Sequence, residues 1–178
     1  MPDIRGLRRI VSVSALAVWL SGCGATHQVS QGEPAIEQGT LRPPQPFSRL
    51  APQPYTPETW PETLRAQVLL PETSGDARRP AALVVHGGGW RNRGPEDMEG
   101  IAAQLAAQGY VTVNIEHRFA PDYRFPAQLH DLQQAMAWIH DNATDWQIDT
   151  DRIVGVGFSS GAHLVSLLAL AGSEGPLA

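Results

Sequence analysis

Ile153-Val154-Gly155-Val156-Gly157-Phe158-Ser159-Ser160-Gly161-Ala162-His163-Leu164 decides the reading of this chain. An apolar, glycine-punctuated strand runs into a G-x-S-x-G turn, and an apolar helix follows at once. Such a turn sets its middle residue, Ser159, at the tip of a strained strand-to-helix bend. The chain doubles back so tightly that a Cβ at 157 or 161 is expected to collide with neighbouring backbone. The bend leaves the Ser159 hydroxyl above the sheet and aims the Ser160 amide at whatever the serine attacks. A plain Gly-Ser turn is the bland alternative, because five-residue patterns of common residues recur by chance. The strand before and the helix after favour Ser159 as the nucleophile.

Upstream, Ala81-Ala82-Leu83-Val84-Val85 is an unbroken apolar run, as in strands buried on both faces of a parallel sheet. It leads into His86-Gly87-Gly88-Gly89-Trp90. Three glycines there fit a flexible loop, a phosphate cradle, or a loop whose amides approach a developing oxyanion. No Lys-Ser/Thr comes after them, so the phosphate cradle lacks its spacing. His86 is expected to organise the glycine loop.

The spacing predicts a strand over 66–70, ended by Pro71 and the turn formers Thr73 to Asp76. A helix is predicted from Pro95 to Gln108, with Met98, Ile101, Ala102 and Leu105 inward and Gly109 as its stop. A strand is next, from Tyr110 to Ile115, and then the irregular loop Glu116-His117-Arg118-Phe119-Ala120-Pro121. A second helix spans about Pro126 to Asn142, with Leu129, Leu132, Met136 and Ile139 inward. Asp149, Asp151 and Arg152 read as turn formers before the serine strand. Behind Ser159, Leu164 to Leu170 is apolar nearly all round, as in a helix buried behind a sheet. Strands alternating with helices specify an α/β fold with a mostly parallel sheet and helices on both faces. Functional loops in such sheets sit at strand carboxyl ends, where both the glycine loop and the serine turn fall.

HGGGW, EHRFAP, FPAQLHD and GFSSGAHL, in this order and at these separations, resemble the α/β-hydrolase esterases. The nearest groups are the hormone-sensitive-lipase type and the bifunctional feruloyl/acetylxylan esterase type. The resemblance runs from about Leu64 to the C-terminus and implies a serine carboxylesterase acting on small acyl or aryl esters. It implies an oxyanion hole built from the amides of Gly88, Gly89 and Ser160, with no cofactor and no metal. His117-Arg118 stands where tyrosine-arginine is more usual, a departure expected to be structural. In such enzymes the triad acid and histidine come after the serine. The 19 residues after Ser159 offer only His163 and Glu174. His163, four residues along the helix, has a packing position. The resemblance therefore implies an α/β-hydrolase domain over 61–178 that lacks its C-terminal part. An amide hydrolase on the same scaffold and a catalytically incompetent lipoprotein are the alternatives.

The opening residues read as an export signal over 1–22. Arg5, Arg8 and Arg9 form a basic region and Ile10 to Leu20 an apolar one. Leu20-Ser21-Gly22-Cys23 resembles a bacterial lipobox, so Cys23 is expected to carry lipid and anchor the protein to an envelope membrane. An ordinary signal peptide with an incidental cysteine is the alternative. Cys23 is the single cysteine of the chain, which excludes an intramolecular disulfide and a thiolate metal cluster. Residues 23–60 are polar and proline-rich and read as a tether, with Phe47, Leu50, Tyr55 and Trp60 able to dock. Removing residues 1–22 takes away three arginines and one aspartate, moving the formal charge from −5 to −7. All basic residues are arginines, and after the signal only Arg78-Arg79 adjoin, so the chain carries no electrostatic footprint for nucleic acid.

Overall fold

The computed structural model describes residues 43–72 and 77–171. The expected export signal, Cys23, most of the expected tether, the expected turn at Thr73 to Asp76 and Glu174 lie outside the described residues. The strands are β1 (Phe47–Arg49), β2 (Gln53–Pro54), β3 (Arg65–Pro71), β4 (Arg79–Val85), β5 (Val111–Ile115) and β6 (Ile148–Gly157). The helices are α1 (Glu99–Ala107), α2 (Ala127–Asp141) and α3 (Ser160–Ala171). The sheet order is β1-β3-β5-β4-β6, with β2 pairing β3.

The sheet is mixed, which corrects the expectation of a mostly parallel one. β4 pairs parallel with β5 and β6, whereas β1, β2 and β5 all pair antiparallel with β3. The parallel part comes from the β-α-β units, whose helical crossovers return the chain in the same direction. The antiparallel part comes from the entering segment, which has no crossover helix. Ordered structure also begins earlier than residue 61. Gln45 N–H donates to Ala107 O, Tyr55 is buried with its hydroxyl donating to Glu116 O at 2.7 Å, and the Trp60 indole donates to Asp131. The proline-rich segment from residue 43 onward thus packs on the domain.

Side-chain alternation along β4 sends Ala81, Leu83 and Val85 to one face and Ala82 and Val84 to the other. The first face packs with Leu132, Ala135 and Ile139 of α2 and Leu164 of α3. The second packs with Ala102 and Ala106 of α1 and Met98 just before it. Helices therefore cover both faces. The predicted helix at Pro95 opens as a 3-10 turn over Pro95–Met98 before α1. It ends as predicted, with Gly109 at φ +94°. Gly109 N–H donates to Ala106 O and Tyr110 N–H to Leu105 O, the paired bonds of a Schellman stop.

Three expectations are revised. Ile101 is 40% exposed rather than inward, because the buried line of α1 runs through Ala102 and Ala106 and leaves Ile101 a quarter-turn aside, toward the cleft beside Ser159. Asp149, Asp151 and Arg152 lie within β6 rather than in a turn before it. They form an irregularity there, since Arg79 pairs with Ile148 but Ala81 with Ile153. α3 is not enclosed, with Leu170 85% exposed. The reason is positional. β6 is an edge strand among the described residues, so the helix after it has cover on one side only.

Candidate active site

Three loops meet at the carboxyl ends of the parallel strands. The register pairs Val85 with Ile115 on one side and with Gly157 on the other. The next residues along each strand, His86, Glu116 and Phe158, therefore leave the sheet side by side. Each opens one segment singled out in the sequence. The glycine loop is in the middle, flanked by the 116–121 loop and the serine turn.

Ser159 is exposed at the start of α3 with φ +50°, a left-handed conformation that non-glycine residues adopt rarely. Such backbone strain is expected of the residue at the tip of a strand-to-helix elbow. The flanking glycines behave as their spacing requires. A Cβ at Gly161 would press into the carbonyl oxygens of Val85 and His86, and one at Gly157 into the backbone of Gly161 and Ala162. The bend is held by Phe158 N–H to Val85 O and Gly161 N–H to Phe158 O. Beside it lies a cleft of about 500 Å³ lined by Gly87, Gly88, Gly89 and Ser159, with Met98, Ile101 and Phe158 as apolar walls. An ion pair between Arg93 and Asp97, 3.0 Å long, sits at its margin.

Gly88 and Gly89 take positive φ values of 114° and 60°. At Gly88 a Cβ would also strike the Asn92 carbonyl, so the loop admits no side chain there. Among the described residues, the amides of Gly88, Gly89 and Ser160 donate none of the loop and turn hydrogen bonds. Donors left open beside an exposed serine can serve a transient anion. Ser160 itself is buried beneath the turn. His163 donates its backbone N–H to Ser159 O and sets its ring edge-on to Trp90 at 5.5 Å. Among the described residues no histidine or carboxylate is hydrogen-bonded to the Ser159 hydroxyl.

The firm construction of the 116–121 loop was not visible in its sequence. Arg118 is buried and ion-paired to Asp131 of α2 at 2.7 Å, with its own backbone N–H donating to the same carboxylate. Its guanidinium also lies over the rings of Trp60 and Tyr123. His86 and His117 are both buried, with near-parallel rings whose centroids are 4.4 Å apart. Burial lowers the pKa of each imidazole below its ordinary value of 6.5. Strand adjacency was the signal available for this pairing. A β-α-β unit that places β5 beside β4 also places residue 117 near residue 86.

Residues 67–177 match the BD-FAE family. Among curated proteins, esterase LipQ of Mycobacterium tuberculosis is 31% identical over 105 residues, covering 58% of this chain and 25% of that protein. The arylesterase of Saccharolobus solfataricus is 34% identical over 93 residues, covering 52% of this chain and 30% of that one. The chain thus spans about a quarter to a third of these relatives' length. Among solved structures, an esterase of Pyrobaculum calidifontis superposes with a TM-score of 0.63 at 29% identity, over 71% of this chain and 40% of that one. A fold shared with esterases, a glycine loop and a serine elbow on one sheet edge, and a family match across most of the folded part agree. This chain belongs to the BD-FAE family of α/β-hydrolase esterases.

Proposed function

We propose that this domain carries the nucleophile of a serine carboxylesterase for small acyl or aryl esters. Ser159 attacks the ester carbonyl, and the amides of Gly88, Gly89 and Ser160 hold the oxyanion. One observation carries the reading: a strained, exposed serine shares a cleft with a glycine loop whose amides are open. Attack needs the Ser159 proton removed, because an unassisted hydroxyl is a weak nucleophile. Turnover therefore belongs to the intact protein, in which a base from outside the described residues meets the elbow. The apolar cleft walls suit an acyl or aryl group better than a charged one. The test compares p-nitrophenyl acetate with p-nitroacetanilide on the intact protein. Ester turnover well above anilide turnover is expected, and the reverse order would make it an amide hydrolase.

We also propose that the protein is held at a bacterial envelope membrane through lipid on Cys23, supported by the basic, apolar and Leu-Ser-Gly-Cys succession. Several acyl chains on one cysteine hold far more firmly than one. Metabolic labelling with a palmitate analogue should mark the wild type and not Cys23→Ala. Equal labelling of the two would exclude this anchor.

A further inference from the structure

We propose that His117 is a positioning residue, whose ring, stacked on His86, fixes the imidazole that holds the Gly87 carbonyl and so directs the Gly88 and Gly89 amides. The inference rests on the oxyanion role of those amides. His86 Nδ1 lies 2.7 Å from Gly87 O, and His117 Nδ1 lies 3.1 Å from Arg118 O. A carbonyl oxygen can only accept, so both Nδ1 atoms carry hydrogen, and in a neutral ring Nε2 keeps a lone pair. Both Nε2 atoms are buried without a hydrogen-bond partner. No hydrogen bond therefore locates the far side of His86, and ring contact is what faces it there. That contact comes from His117 on its face and from the edge of Phe119, 5.9 Å from its centroid.

His117 is itself anchored. Its Nδ1–H bond goes to the backbone of Arg118, and Arg118 is locked to Asp131 of α2 by backbone and side chain. A second link runs in parallel, from Ala120 N–H to Trp90 O at 2.8 Å. The glycine loop is thus held at its beginning through His117 and at its end through Ala120. A shift of about 1 Å in catalytic geometry can cost about a hundredfold in rate, so such anchoring matters to an oxyanion loop.

The stack works only with neutral rings, since a proton on either Nε2 puts an unpaired charge in a buried contact. Charged groups reach the pair from each element packed on it. Glu96 and Asp97 come from the turn before α1, Glu116 from the end of β5 and Asp131 from α2. Glu62, Arg93 and Arg118 line the adjoining cavity of about 300 Å³. The carboxylates favour the charged form, and burial outweighs them. Each folded-state pKa lies below the unfolded one, so the unfolded chain binds the extra protons. Stability contributed by the pair is therefore complete above 6.5 and is lost as pH falls toward the lowered values.

The experiment uses the intact protein. Imidazole nitrogen spectra of wild type should show both rings as neutral Nδ1–H tautomers at pH 6.5, where a free imidazole is half charged. Either ring found charged or as the Nε2–H tautomer at that pH would overturn the proposal. His117→Ala should shift the Gly88 and Gly89 amide resonances and lower kcat for p-nitrophenyl acetate about tenfold, below the cost of losing a whole oxyanion donor. KM should change by less than about twofold, because the amides act in the transition state. His117→Phe, which keeps the flat ring but not the Nδ1–H bond to Arg118, should restore most of both readouts. Where the alanine variant fails to fold, His117→Leu fills the space without a flat ring and makes the same comparison. Unmoved Gly88 and Gly89 resonances in the ringless variant overturn the positioning role. Moved resonances in a protein with no turnover would uphold it while refuting the esterase reading.

Discussion

Ser159→Ala is expected to lower ester hydrolysis by the intact protein by about 10⁶-fold in kcat, the scale seen when a serine nucleophile is removed. The melting temperature should stay close to that of the wild type. Ser159 is exposed, its hydroxyl has no hydrogen-bond partner among the described residues, and alanine meets the same backbone penalty at φ +50°. Exposed substitutions of this kind usually stay within about 0.5 kcal/mol. A residual rate above that of free p-nitrophenyl acetate would remain for any cleft contact that still positions substrate. A variant with undiminished turnover would remove Ser159 from the chemistry.

Gly161→Ala, like Gly157→Ala, should be among the most damaging single methyls that the elbow can receive. Its Cβ would fall on the carbonyl oxygens of Val85 and His86, which are backbone atoms and cannot rotate aside. Relief requires α3 to lift from the end of β4, breaking Phe158 N–H to Val85 O and moving Ser159 away from the glycine loop. Overpacking typically costs about 1–3 kcal/mol, and a backbone collision belongs at the upper end. A loss of about 3 kcal/mol corresponds to a fall of about 6–12 °C in Tm for a domain of this size. Gly100→Ala is the control. Nothing lies within 4 Å of a Cβ there, and the residue sits in the first turn of α1. Alanine should raise stability by about 0.5–1 kcal/mol at such a site. Equal melting of the two variants would show that the elbow is looser than its packing implies.

The elbow and its glycines were legible because their constraint is local. Tight doubling of the chain excludes a side chain at 157 and 161 whatever surrounds the turn, and the structure places backbone at both positions. The central strand β4 was legible as an unbroken apolar run, because burial on both faces leaves no alternation. The antiparallel additions were not, since β1 and β2 are short and lie among prolines. Their place depends on partners far along the chain, as when Phe47 pairs with Pro71. Ile101 misled for a related reason. Its spacing matches an inward stripe, but the packed line of α1 is Ala102 and Ala106, and Ile101 lies a quarter-turn from it over the open cleft. The anchored 116–121 loop was invisible as chemistry. Arg118 and Asp131 are separated by 13 residues, and His86 and His117 by α1 and β5. Only the strand order brings them together.

The central claim is that Ser159 is the nucleophile, and a fluorophosphonate adduct tests it most directly. The intact protein is labelled with an active-site phosphonylating probe, digested, and the modified residue located by mass spectrometry. The prediction is one adduct, on Ser159, lost in Ser159→Ala and formed more slowly in Gly88→Ala, where the added Cβ meets the Asn92 carbonyl. An adduct on any other residue of a protein that turns over p-nitrophenyl acetate would contradict it.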